Sequence, residues 1–498
     1  VNKLKVSMLC IATLAVIFTG CSDDGAVAKA PPGEDTADLG QDMPEPAEEL
    51  PRFEARACPS PTPSGLIDGQ NVSCGVLFVR QDRRVRSGRS LELAVTIVRG
   101  AAQPAPEPIV HLIGGPGGSM ASYDEVLGTT FGLPLSLAAK RDLILFDQRG
   151  VGRSLPRLSC GGDESQAACD ARLRAEGIHL ESFQTEESAA DIEDLRVALK
   201  LPALHLYGQS YGTSLALAYA RIFPSGAKTL LLESTSSAAF DAALTNSARS
   251  FELAIARVFS ECRADAACDA AFPGIEARFN ELLDALPPGS ANANDLLESI
   301  NLLLQLAQGT SYVPLFIDAL LNNDQATVQA VVAIIEQLGQ LQQEVLARGF
   351  SPQLFLTATC YDYGPLLTNA VEMTVNGEAH PVIRAAFPSQ FDFLRAVCSG
   401  LPASYVSEAA RRPVSSQIPT LIIGGTHDNN TPLEIAERVV ETLPRGYLLR
   451  RSGWGHVILP FGDTCARDAY VAFLNDTSQA PMPPCLVQQS TSFALKLP

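Results

Sequence analysis

The chain has 498 residues, 46% hydrophobic and 18% charged, which suffices for a substantial buried core and excludes disorder as the global state, while 37 Gly and 34 Pro exclude a collagen-like repeat. Its 37 Lys+Arg against 55 Asp+Glu give a net charge of −18, a sign that repels phosphate backbones and argues against nucleic acid as a partner. At about 100–200 residues per domain, this length fits several domains or one large α/β core with an insertion.

Residues 1–20, VNKLKVSMLCIATLAVIFTG, place two lysines before a short apolar run and end in a small residue ahead of Cys21. That is the layout of an export leader, with an apolar run too short for a comfortable membrane span. The ending Phe18-Thr19-Gly20-Cys21 resembles a bacterial lipobox, which implies cleavage before Cys21 and lipidation of that cysteine. Ser22 rather than Asp at the next position resembles the outer-membrane pattern, and implies a lipoprotein anchored there and facing the periplasm or cell surface. An ordinary cleaved signal is the alternative. The acidic, Pro-rich residues 22–50 lack the apolar surface to fold, so 21–57 is expected to be a disordered tether.

Ten cysteines follow Cys10 and Cys21, and none is spaced C-x-x-C. In an oxidising compartment they are expected to form structural disulfides. Nearest-neighbour pairing (58–74, 160–169, 262–268, 360–398, 465–485) is the simplest arrangement, and buried free thiols are the alternative.

Along the chain, β-branched apolar runs occur at Val72–Val79, Leu91–Val98, Ile109–Ile113, Leu143–Phe146, Leu204–Tyr207, Thr229–Leu232, Thr420–Ile423 and Tyr447–Leu449. Helical patterns at Glu187–Leu199 and Ser214–Ile222 lie between them, and such alternation predicts an α/β fold with a mostly parallel sheet. The first two runs could pair as an antiparallel hairpin. Strand signals then stop from about 236 to 411, where Leu/Ala-rich stretches such as Ser250–Phe259, Asn294–Leu306 and Gln325–Leu346 read as helices. We expect a first core segment at 58–235, a helical lid or cap insertion at 236–411, and a second core segment at 412–498.

Gly208-Gln209-Ser210-Tyr211-Gly212 lies between the strand LHLY and the helix SLALAYARI, the context a G-x-S-x-G nucleophile elbow requires. Such a turn lifts the Ser210 hydroxyl off the sheet and aims a helix N-terminus at a developing anion. A serine needs a base, and the base an orienting carboxylate, in the order Ser, Asp, His for this topology. Asp428 follows the strand TLIIGG, and His456 follows YLLRR in the loop GWGHV. His427, beside the acid, reads as an exposed loop residue. Gly114-Gly115-Pro116-Gly117-Gly118-Ser119 follows the strand IVHLI, and the Gly115 N–H could pair with that of Tyr211 as an oxyanion hole. A phosphate-binding reading fails here because no Lys-Ser/Thr follows. Dinucleotide binding at Arg149–Ser154 fails because Leu155 stands at the third glycine position.

Together IGGPGGS, FDQRGVGRS, GQSYG, GTHDNNTP and GWGH resemble the proline iminopeptidase and tripeptidyl aminopeptidase-like (TAP-like) branch of the α/β-hydrolases, over roughly residues 58–490. The resemblance implies a serine exopeptidase that releases residues or short peptides from free N-termini through an acyl-enzyme. Cys465 and Cys485 resemble the C-terminal segment of the TAP-like members. Where proline iminopeptidases usually carry His before Gly-Gly-Pro-Gly, this chain has Ile113, which favours the tripeptidyl-like group. Asp147 and Arg149 read as loop-fixing partners. Glu233 and Asp362 are candidate carboxylates for a substrate's α-ammonium. Trp454, the only tryptophan, is expected to pack the histidine loop. This chemistry requires no metal or organic cofactor. A carboxylesterase or lipase with the same three residues is the alternative enzyme, and a non-catalytic binding protein on a hydrolase scaffold the third reading.

Overall fold

Each of the eight apolar runs becomes a strand, and a ninth precedes them. In the computed structural model the strands are β1 (Arg52–Arg56), β2 (Val72–Arg80), β3 (Ser90–Val98), β4 (Ile109–Leu112), β5 (Leu143–Phe146), β6 (Leu204–Gln209), β7 (Ala227–Glu233), β8 (Thr420–Gly425) and β9 (Gly446–Arg451). They form one sheet in the order β1-β2-β3-β5-β4-β6-β7-β8-β9. Pairings from β1 to β5 are antiparallel, and those from β5 through β4 to β9 are parallel. The structure describes residues 49–497 apart from 60–61, 63–64, 86–87, 103–105, 121–136, 138, 240–246, 306–308, 348, 365–376, 388–389, 399–406 and 488–490. The leader, Cys21 and most of the expected tether lie outside the described residues.

One boundary needs correction. Residues 52–56, expected to belong to the tether, form β1 and pair along β2 from Arg52↔Phe78 to Arg56↔Cys74. The charged segment RFEAR carries no apolar run, so its pairing rests on backbone hydrogen bonds to an open sheet edge and on Phe53, which packs on the core.

The central strands are buried on both faces, which explains their continuous apolar runs. Their side chains alternate between two cores. Ile144 and Phe146 of β5 pack in a cluster that includes residues of helices Thr185–Ala198 and Tyr211–Ile222. Leu143 and Leu145 pack in another that includes residues of helix Thr464–Asn475.

Between β7 and β8 the described residues form helices and no strand. Helices Ala248–Ala264, Ile275–Asp284, Ala291–Gln305, Val313–Leu321 and Gln325–Ala347 surround a core of their own, with Phe251, Phe259, Phe279, Leu297, Ile300 and Phe316 at its centre. A separate helix, Pro352–Tyr363, instead contributes Leu354 and Ala358 to the sheet's own core. Five disulfides join nearest-neighbour cysteines: 58–74, 160–169, 262–268, 360–398 and 465–485. No described helix is long and apolar enough to cross a membrane.

Candidate active site

Strand β4 pairs with β5 on one side and β6 on the other, so the chain changes direction across the sheet at this point. In open α/β sheets a crevice forms there, at the carboxyl ends of the strands. The candidate catalytic and oxyanion-hole residues all follow β4, β6, β8 and β9, while Glu233 is the last residue of β7.

Ser210 is the elbow between β6 and helix Tyr211–Ile222, with φ 53° and ψ −127°. A non-glycine residue in such a conformation costs on the order of 1–3 kcal/mol, and its surroundings must hold it. Its amide donates to Glu233 O across the sheet (2.9 Å). The flanking glycines make room. A Cβ at Gly208 would lie 2.5 Å from Gly212 O, and one at Gly212 would collide with the Leu112 carbonyl.

Asp428 and His456 are brought together by the adjacent parallel strands β8 and β9. His456 Nδ1 lies 3.0 Å and 3.1 Å from the two Asp428 carboxylate oxygens. Asp428 is 1% exposed and also accepts from the amides of Asn430 (2.9 Å) and Thr431 (2.8 Å) and from the Thr431 hydroxyl (3.0 Å). Those donors fix the plane of the carboxylate. With the carboxylate at Nδ1, the imidazole is held with Nε2 available as acceptor.

The helical insertion reaches both members of this pair. The His456 amide donates to Gln305 O (3.1 Å), at the end of helix Ala291–Gln305. In the same helix, Asn301 Oδ1 accepts from Asn429, beside Asp428.

On the other side, the glycine loop after β4 runs close over the nucleophile. A Cβ at Gly114 would lie 2.8 Å from Ser210 Cβ and 3.3 Å from its hydroxyl. Gly115 follows with φ +124°, and Tyr211 is the first residue of its helix, where an amide has no intrahelical carbonyl to bond. The loop is fixed by Asp147, which accepts from the Met120 amide (2.6 Å), the Ser119 hydroxyl (3.1 Å) and the Arg153 amide (2.7 Å). Arg149, fully buried, grips Asp191 with two nitrogens (2.6 Å and 2.7 Å). Both residues therefore hold loops, as their positions in the sequence suggested. Trp454 packs partly buried at the base of the histidine loop, and its carbonyl accepts from the His427 amide (2.9 Å).

Two sequence expectations need correction. Glu233 has no exposed surface, and its carboxylate is occupied by the amides of Ile458 and Leu459, the Tyr207 hydroxyl and the Gln209 amide. It offers nothing to a substrate's ammonium group; a strand-end acid suggested exposure, whereas the histidine loop folds over it. His427 is also fully buried rather than exposed, 3.1 Å from Glu261 of the insertion. Packing of the insertion against the acid loop covers it.

Asp362 sits near the end of helix Pro352–Tyr363, 6% exposed. It accepts from the Thr185 hydroxyl (2.5 Å), which in turn bonds the Tyr211 hydroxyl (2.7 Å). Burial raises its pKa to about 7, against the lowering effect of the Thr185 bonds. It lines a small cavity of about 30 Å³ together with Thr185, Ser214, Arg221, Ser237 and Tyr363. Sequence reasoning did not single out Thr431, although it stands in the GTHDNNTP motif, nor Asn301 or Gln305, which belong to no motif and act through tertiary contact.

Residues 107–271 match the family profile of the α/β hydrolase fold, and residues 385–483 match that of TAP-like proteins. Serine protease Hip1 of Mycobacterium tuberculosis is 24% identical over 95% of this chain and 96% of its own. A tripeptidyl aminopeptidase of Streptomyces coelicolor is 26% identical over 33% of this chain and 35% of its own. A proline iminopeptidase of Xylella fastidiosa is 36% identical over 26% of this chain and 32% of its own. The sheet, the elbow and the first profile define an α/β-hydrolase. The narrower likeness to TAP-like proteins is carried by residues 385–483.

Proposed function

We propose that this chain is an exported serine aminopeptidase that cleaves residues or short peptides from free N-termini. Ser210 is the nucleophile, His456 the base that takes its proton and returns it to the leaving amine, and Asp428 the carboxylate that orients the imidazole and stabilises the imidazolium. The tetrahedral oxyanion is received by the amides of Gly115 and Tyr211. The observation that carries this reading is the contact of His456 Nδ1 with both Asp428 oxygens, on loops that leave the sheet at the same end as the Ser210 elbow. The names of the relatives, a serine protease and two aminopeptidases, support the peptide substrate.

For the substrate's ammonium group we propose Asp362. It lines the cavity with Ser214, one helical turn beyond Ser210, and an incoming cation would favour its ionised form. The Cys21 anchor is proposed on its lipobox-like context, and the five disulfides agree with an oxidising compartment. Cys21→Ser abolishing metabolic incorporation of a labelled fatty acid would support the anchor, and unchanged incorporation would remove it.

The activity is tested on the purified domain with prolyl-, alanyl- and tripeptidyl-amides, their N-blocked forms and p-nitrophenyl esters, each against Ser210→Ala. Ser210-dependent cleavage of free-N-terminus amides, lost on blocking, is expected. Ester turnover with all amides silent would move the chain to the carboxylesterases.

A further inference from the structure

We propose that the dipeptide Glu233-Ser234 positions the base, locking the His456 loop to the strand end that carries Ser210. The inference rests on reading Ser210 and His456 as nucleophile and base.

Glu233 closes β7, next to the strand that ends in the nucleophile. Its Oε1 accepts from the amides of Ile458 (3.0 Å) and Leu459 (2.6 Å), the second and third residues after His456. Its Oε2 accepts from Gln209 Nε2 (2.8 Å), immediately before Ser210, and from the Tyr207 hydroxyl (2.5 Å). Its main-chain carbonyl holds the Ser210 amide (2.9 Å). Ser234 completes the arrangement, its hydroxyl accepting from the Val457 amide (2.8 Å). Two adjacent residues thus touch the nucleophile's backbone, its predecessor and three successive residues after the base.

The chain needs that grip. Val457 has φ 57°, a conformation that β-branched residues avoid, and this left-handed turn immediately follows the imidazole. Burial raises the pKa of Glu233, and the four donors that converge on its carboxylate oppose that shift. The network continues through Gln209 Oε1 to His111 Nε2 (2.7 Å) on β4, the strand leading into the glycine loop. Nucleophile, base loop and glycine loop are therefore tied beneath the site by one set of buried polar groups, none of which needs to touch substrate.

The test is the inactivation rate of the folded full-length domain by a fluorophosphonate, resolved into kinact and KI. Glu233→Gln places an amide donor against the Gln209 and Tyr207 donors. It should lower kinact by ~10–100-fold, as small misplacements of a base do, with KI changed by less than about twofold. The exchange Gln209→Glu with Glu233→Gln restores complementary partners, and should recover kinact to within about threefold of wild type. Ser234→Ala should lower kinact by ~5–10-fold.

Unchanged kinact in both Glu233→Gln and Ser234→Ala overturns the proposal, and so does a rise in KI alone. If Glu233→Gln does not fold, Ser234→Ala decides. A wild-type chain that does not react, or one whose labelling survives Ser210→Ala, refutes the reading of Ser210 itself and this inference with it.

Discussion

The carbonyl of Gln305, at the end of a helix in the insertion, accepts the backbone amide of His456 at 3.1 Å. The base is therefore held from above by the insertion as well as from below by the sheet. With Asn301 bonded to Asn429, and Thr310 Oγ1 donating to the Gly453 carbonyl (2.6 Å), this part of the insertion is fastened to the loops of both Asp428 and His456. Asn301→Ala leaves the buried Asn429 amide without that partner. A stability loss of about 1–3 kcal/mol is expected, read by urea denaturation, together with a fall in kcat larger than any change in KM.

Asp428→Asn should leave the fold intact, because the Asn430 and Thr431 amides still find an acceptor oxygen. The imidazole would nevertheless lose the carboxylate that orients it. A loss of kcat of roughly 10³–10⁴-fold is expected by the behaviour of serine triads in general, with substrate affinity little changed. Steady-state kinetics on the best peptide amide check this, and a loss below tenfold would remove Asp428 from the mechanism.

Glycines crowd the nucleophile in two different ways. A methyl group at Gly114 would meet the Ser210 side chain at 2.8 Å, so Gly114→Ala should fold and lose at least ~10-fold in kcat through displacement of the hydroxyl. At Gly212 the methyl would strike the Leu112 main chain in the middle of the sheet, so Gly212→Ala should reduce soluble expression or melting temperature first. Thermal melts of the two purified variants separate these outcomes.

The sequence made the sheet legible because its central strands are buried on both faces, and such strands declare themselves as continuous apolar runs. The places of Ser210, Asp428 and His456 after β6, β8 and β9 were legible because strand, turn and loop order restrict where each can stand. Their expected proximity was a matter of topology, and β8 and β9 supply it for Asp428 and His456. What the sequence concealed was the destination of polar residues without a motif. Glu233 and His427 both lie at strand ends or in loops, where exposure is the default, and both are covered by segments distant in the chain. The edge strand Arg52–Arg56 was concealed for a different reason: its pairing depends on main-chain groups, and its side chains carry no signature.

Asp362 gives the account a pH dependence. Burial holds its pKa at about 7, with Glu186 raising it further and Arg411 opposing, against 3.8 for an ordinary aspartate. Between about pH 4 and 7 the native chain keeps a proton that the unfolded chain has released. This contribution to stability is full below about pH 4 and is lost as pH rises through 7. Asp362→Asn should flatten the stability profile in that window and raise stability above pH 7 relative to wild type. Urea midpoints between pH 4 and 8 read the effect. If Asp362 also binds the substrate's ammonium, the same variant should raise KM for free-N-terminus peptides at least ~10-fold, while N-blocked esters change little.

The central claim is that Ser210 is the nucleophile, activated by His456. It is tested most directly by locating a fluorophosphonate adduct by peptide mass spectrometry. The account predicts one adduct, on Ser210, absent in Ser210→Ala and slowed by more than ~100-fold in His456→Ala. An adduct on another residue, or labelling at the wild-type rate without His456, would contradict it.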